Sequence, residues 1–410
     1  MPKDSQAKTL SDKLIVAGLV LLFALTATPS NAQNWSFSPQ LAFGAEYDDN
    51  SQLSVRTDNI VQLEGLLVEG RVDLRYDSET TQFLFTPIVL GRNYSDEPDF
   101  DSTRISIRSR FEHDTPKNRF AIDGRFDQDT VRNAERADQD LDEEDPDNIP
   151  DDDTGLVLLT GDRDRWAIRP SWTYRWTDIS STRVSVDYRD VTYDDVLIFL
   201  DDYTDLTLAA NYQRRFTDRT AWIVNGAVRR YEAVDGAAVF ENYRVDLSLN
   251  SQLTPTSRLL ARVGVESVER TETGLSETVP VGELTFIRQL ETIRLLAQYR
   301  RSVSSSGAGR MAERDAINLN LTRQLHDRFS TGIGVRAYIS NPITFGPNEV
   351  AFSRDYVQLT ARFTWNISRT FAFQTSYRYT ILNREILGES ANSNQVLMWL
   401  IFRPAGDPNR

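Results

Sequence analysis

The chain has 410 residues, a formal net charge of −14 and no cysteine. A disulfide framework, thiolate metal sites and a cysteine nucleophile are therefore excluded. Beyond residue 32 the only lysine is Lys117, so nearly every cation is an arginine; nothing in this balance suggests a nucleic-acid partner.

Lys3, Lys8 and Lys13 precede the apolar run 14–27, and Ser30-Asn31-Ala32 suits cleavage after Ala32. The pattern predicts a Sec signal peptide over residues 1–32, too short for a membrane helix. No later apolar run reaches 18 residues.

From residue 33 the sequence alternates with a period of two, the mark of strands with one apolar and one wet face. The first segment places Trp35, Phe37, Leu41, Phe43, Ala45 and Tyr47 on one face. The fourth sets Ile105, Ile107 and Phe111 against Arg104, Ser106, Arg108 and Arg110. The sixth, RWAIRPSWTYRW at 165–176, has aromatic, aliphatic or proline residues at every even position and three arginines among the odd ones. Pro170 removes one backbone donor from that strand, so a β-bulge is expected there. The alternation continues through Val184 to Tyr188, Tyr243 to Leu249, Ile293 to Tyr299 and Val357 to Ile367, and ends in QVLMWLIF at Phe402.

Eighteen such segments result, each of about 8–14 residues. A tilted strand crossing a bilayer needs ~9–11 residues, whereas strands of soluble proteins average ~5–6. The connectors alternate as well. Short turns (77–80, 114–117, 178–182, 217–220, 254–257, 326–328, 368–370) alternate with longer loops (48–58, 94–102, 127–164, 190–203, 232–241, 269–280, 301–314, 340–354, 383–394). Outer-membrane barrels have short periplasmic turns and long outer loops. The expected fold is all-β: a transmembrane antiparallel up-and-down β-barrel of about 18 strands, sixteen at the lowest. It would span residues 33–402, with both termini in the periplasm and a short tail at 403–410.

The wet face of such a barrel is its lumen. It would hold Arg104, Arg108, Arg110, Arg169, Arg183, Arg244, Arg294, Arg336, Arg362 and Arg378. A guanidinium offers five donors in a planar fork, suited to carboxylates, phosphates and sugar hydroxyls. Two readings stand: a path for an anionic or polyhydroxylated solute, or a solvated wall cross-linked by Arg–carboxylate pairs.

The segment 127–164 is expected as a long acidic outer loop. Between 127 and 153 it holds 13 acids against Arg132 and Arg136. Such runs are usually solvated. Asp140, Asp142, Asp145, Asp147, Asp151 and Asp153 could gather Ca²⁺ on oxygen ligands, though without EF-hand spacing, or bridge to lipopolysaccharide through divalent ions. No other cofactor is expected. Catalysis is disfavoured, since His113 and His326 are the only histidines and both fall at short turns.

AFGAEYDDN (42–50), DTVRNAERAD (129–138), RPSWTYRWTD (169–178) and VDYRDVTYDD (186–195) together resemble an outer-membrane β-barrel family found with PEP-CTERM/exosortase and exopolysaccharide loci of Gram-negative bacteria. The resemblance implies a barrel tied to export or surface display of polysaccharide and brings no catalytic residues. The tail after Phe402 departs from barrels that end on their last strand. The expected function is a porin-like conduit or an outer-membrane component of exopolysaccharide export. The alternative is a structural barrel that anchors partners through its loops, without an open pore. Expected partners are outer-membrane lipid and lipopolysaccharide, the barrel-assembly machinery, and polysaccharide or periplasmic export components.

Overall fold

The computed structural model describes residues 34–135, 161–194, 200–234, 238–307, 309–345, 353–384 and 389–404. The expected signal peptide, most of the acidic segment and all six candidate Ca²⁺ ligands lie outside them.

Eighteen strands follow one another along the chain. They are β1 (Trp35–Asp48), β2 (Leu63–Asp77), β3 (Thr81–Tyr94), β4 (Ser102–Asp114), β5 (Asn118–Thr130), β6 (Asp162–Thr177), β7 (Ser180–Tyr193), β8 (Tyr203–Thr217) and β9 (Thr220–Ala233). The second half comprises β10 (Val239–Thr254), β11 (Ser257–Arg270), β12 (Leu275–Gln289), β13 (Ile293–Ser306), β14 (Arg310–His326), β15 (Phe329–Pro342), β16 (Arg354–Asn366), β17 (Phe371–Arg384) and β18 (Glu389–Phe402). Each pairs antiparallel with its sequence neighbours, and β1 also pairs with β18, from Leu41↔Phe402 to Asp48↔Gln395. The sheet is thereby closed into an up-and-down barrel in which every strand has a partner on both sides.

The alternation sorts the two faces as the sequence does. Phe43, Leu66, Trp166, Leu208, Val245, Val263 and Ile333 are exposed on the outside. Contiguous apolar surface of this extent is stable only against lipid. Trp35, Trp176, Trp222 and Trp365 are exposed within two residues of a strand's short-turn end, forming an interfacial girdle. No helix among the described residues is long and apolar enough to cross a membrane.

Pro170 does not form a bulge. It pairs with Ile122 of β5, while on the β7 side the ladder stops at Ile168↔Tyr188 and resumes in the same register at Ser171↔Ser185. A proline can sit in a bridge only where its nitrogen points away from the partner, so the missing donor faces the gap. Three other strand prolines obey the same rule. Pro87 pairs with Ile107 and faces a gap in the β2 ladder between Arg71↔Ile88 and Leu74↔Phe85. Pro39 pairs with Val72 and lies beyond the end of the β18 ladder. Pro280 pairs with Val265 and lies beyond the end of the β13 ladder. Losing one ladder bond costs about 1 kcal/mol, less than inserting a residue that would shift every later side chain off its face.

Four expected loops are much shorter; that at 232–241 reduces to the connector between Ala233 and Val239, and that at 383–394 to the connector between Arg384 and Glu389. The connector expected at 269–280 is the turn between Arg270 and Leu275, and that expected at 301–314 lies between Ser306 and Arg310. In the latter two, strand pairing continues through residues whose mixed polarity reads as loop. β5 likewise runs to Thr130, which places Asp127 and Asp129 in the wall; a five-residue helix, α1 (Val131–Glu135), follows.

Candidate functional site: the barrel lumen

All ten arginines singled out from the sequence lie on strand positions opposite the exposed apolar residues, hence toward the lumen. The structure divides the lumen arginines into two groups.

In the first group, a carboxylate two residues along the same strand or across on a neighbouring one stands beside the guanidinium. Arg110 and Arg119 both donate to Glu112 at 2.5 Å. Arg104 and Arg92 flank Asp129 at 3.7 and 3.6 Å. Arg169 donates to Asp187 at 2.7 Å, and Arg244 lies 3.3 Å from Asp246. Glu283 takes Arg262 at 2.8 Å and Arg300 at 3.6 Å. Arg183 donates to the Ser171 hydroxyl at 3.1 Å instead. Arg108 and Arg294 stand on the same inward face, within β4 and near the short-turn end of β13. Over β4–β13 the wall is thus largely the second of the two readings, a lattice cross-linked by Arg–carboxylate pairs.

The second group is Arg336, Arg362 and Arg378, on β15, β16 and β17. With Arg403 they line a cavity of about 400 Å³ against the wall of β14–β17. Its floor includes Gly332 and Gly334, where an added Cβ would meet nothing nearer than 3.8 Å. Its sides are amides and hydroxyls, among them Asn318, Asn320, Thr360 and Gln374. Among the described residues, no carboxylate lines it. Arg378 donates to the Gln395 side chain at 2.7 Å and Arg403 to that of Gln40 at 2.8 Å. These neutral acceptors orient the guanidinium planes. Sequence reading missed the Asn/Thr/Gln/Gly lining. Its signal was present: the inward positions of β15 and β17 contain no acid at all.

The long-loop end of the lumen is filled. The loop after β1 turns inward at Leu53, whose φ is 48°. Leu53 is fully buried against Tyr338, Tyr356, Leu382 and Ala391, inward residues of β15–β18. Val131, Arg132 and Asn133 of α1 are buried, with Arg132 over the Tyr94 and Phe100 rings at 5.8 and 5.3 Å. A second apolar cluster joins Val191, Tyr203, Tyr231, Phe240 and Val268 of the wall to Val303 and Met311 of the β13–β14 tip. The short-turn half stays open, with Arg110, Arg119 and Arg169 substantially exposed.

Among the described residues no group of three or more His, Cys, Asp or Glu is placed to hold a metal. His113 and His326 stand at the short-turn ends of β4 and β14, and His113 Nδ1 lies 3.0 Å from the Thr81 hydroxyl.

No family model and no curated protein sequence matches the chain. Solved barrels do resemble it. The outer membrane protein opdK of Pseudomonas aeruginosa is 9% identical, covering 90% of this chain and 99% of that one, with a TM-score of 0.48. OccAB4 of Acinetobacter baumannii is 8% identical, with 92% and 100% covered and a TM-score of 0.46. OccK2 (OpdF) of P. aeruginosa, solved with glucuronate, is 10% identical, with 90% and 98% covered and a TM-score of 0.48. Likeness at this level says nothing about what the present barrel carries.

Proposed function

We propose that the protein is an outer-membrane pore, open toward the periplasm and narrowed on the outside, that passes small anionic or polyhydroxylated solutes along its β14–β17 wall. One observation carries this reading: Arg336, Arg362, Arg378 and Arg403 gather around one polar cavity whose other described lining residues are amides, hydroxyls, glycines and aliphatics, while Arg110, Arg119, Arg169, Arg244 and Arg262 elsewhere on the lumen each stand beside a carboxylate. Charges of one sign in a low-dielectric channel raise the local concentration of the opposite ion. Amides and hydroxyls beside them suit a solute with many hydroxyl groups. The resemblance to barrels of exosortase and exopolysaccharide loci makes an acidic saccharide a fitting cargo and exopolysaccharide export a fitting setting.

The test is planar-bilayer recording of the refolded protein under a KCl gradient. The wild type is expected to prefer Cl⁻, and the combined Arg336→Gln, Arg362→Gln and Arg378→Gln variant to lose that preference while still conducting. An unchanged reversal potential would remove the β14–β17 wall from the path. The filled outer end favours one competing reading, a barrel that only anchors its loops; a correctly folded protein that never conducts would support it.

A further inference from the structure

The wall of the barrel has a seam between β12 and β13. β12 pairs with β11 along its whole length, from Arg288 to Leu275. Its ladder with β13 ends at Gly282↔Arg301. Residues 275–281 therefore leave about 24 Å of strand edge, at ~3.4 Å per residue, unpaired on that side. Beyond Arg301, β13 continues to pair with β14, from Ser302↔Arg314 to Ser306↔Arg310. This hairpin tip has left the wall and folded inward over the neighbouring strands.

Its seat is on strands four and five positions away. Arg229 of β9, held by Asp205 of β8 at 2.9 Å, donates to the Val303 carbonyl at 3.3 Å and the Ser305 hydroxyl at 2.7 Å. Asp201 N–H donates to the Gly307 carbonyl at 2.8 Å. Gly307 sits so close to Tyr193 that a Cβ would come within 2.2 Å of the phenol oxygen. Val303 and Met311 are buried in the apolar cluster on the inner face of β7–β12, which includes Val279 and Val281 of β12 itself.

We propose that the β13–β14 tip is a gate with two seats: the inward one just described, and an outward one in which β13 continues its ladder along β12. Extending the register from Gly282↔Arg301 would place Ser302 opposite Val281, Val303 opposite Pro280 and Ser305 opposite Thr278. The outward seat restores the wall and clears the mouth. Pro280 has no N–H to give Val303, so that ladder is one bond short. This biases the resting state inward without forbidding the swing, and it blunts the vacant edge against pairing with other chains. The consequence for transport rests on the pore reading; the two seats do not.

The absence of native cysteine makes cross-linking clean. An ideal Cβ on Gly309 lies 3.9 Å from the Ala238 Cβ, the separation found in disulfides. Gly309 has a φ of +65° and an added Cβ lies 3.2 Å from the Asp201 carboxylate, so a cysteine there costs some strain; Ala238→Cys with Gly309→Cys should still oxidise and hold the tip inward. Thr278→Cys with Ser305→Cys should also oxidise, more slowly, and hold it outward. Disulfide yield in proteoliposomes, with Ser305→Cys alone as control, reports the two seats without any current. Oxidation of the first pair with none of the second would show a fixed plug and overturn the proposal. In bilayers, the inward lock should suppress conductance and the outward lock raise it, both reversed by reductant. Equal conductance in the two locked states would refute gating. Silence in every variant, with both disulfides formed, would refute the pore reading while leaving the two seats standing.

Discussion

Replacing Leu208 with arginine tests which solvent each face meets. Leu208 is 52% exposed on β8; its cross-strand partners are Val186 of β7 and Val228 of β9, and its same-face neighbour Leu206 is also exposed. Both direct partners are aliphatic and offer a guanidinium no acceptor. If the surface faces lipid near the mid-depth of the bilayer, Leu208→Arg should cost about 2–4 kcal/mol. That lowers the folding equilibrium constant by a factor of about 30 to 900. The adjacent Thr207 points inward, with Asp187 and Arg229 as its ladder partners. Thr207→Arg puts a cation between the Asp187 carboxylate and the Arg229 guanidinium on the polar inner face, and should cost less than Leu208→Arg, about 1 kcal/mol. Reversible denaturant titration in phospholipid vesicles measures both. Equal costs, or a larger cost at Thr207, would refute the assignment of the outer face to lipid.

Other perturbations follow from the same geometry. Asp205→Ala leaves Arg229 buried without its carboxylate and should cost about 3–5 kcal/mol; removing both side chains should cost less than the sum, read as coupling in a double-mutant cycle. Gly264→Ala puts a methyl 2.4 Å from the Asp246 Cβ and the Val245 carbonyl, and should destabilise by about 1–3 kcal/mol. Gly226→Ala meets nothing within 4 Å and should lie within about 0.5 kcal/mol of wild type on the same titration. Pro170→Ala should shift stability by less than about 1 kcal/mol, the regained ladder bond offsetting the proline's restriction of the unfolded chain. The new amide at 170 should be protected from hydrogen exchange, and rapid exchange there would show that the β7 gap has another cause.

The sequence by itself determined the architecture, because period-two alternation is a local property. Whether Trp172 or Ser171 faces out follows from the pleat, and eighteen such runs with alternating connectors leave a closed barrel as the arrangement that pairs every backbone group in lipid. It also determined the ten inward arginines. It could not determine what each of them faces: Arg169 meets Asp187 from the neighbouring strand, while the cavity holding Arg336 is lined by amides and glycines. That difference is set by register, which no single strand contains.

Pro170 marks the limit more finely. The missing hydrogen bond was legible, but its consequence was not, since only the neighbours' pairing shows a gap without a bulge. The β13–β14 tip was least legible of all. Period-two character does not say whether a strand end stays in the wall, and residues 301–314 read as loop. Their place is set by Arg229, Tyr193 and Ala238, residues distant in sequence whose contacts exist only once the barrel has closed.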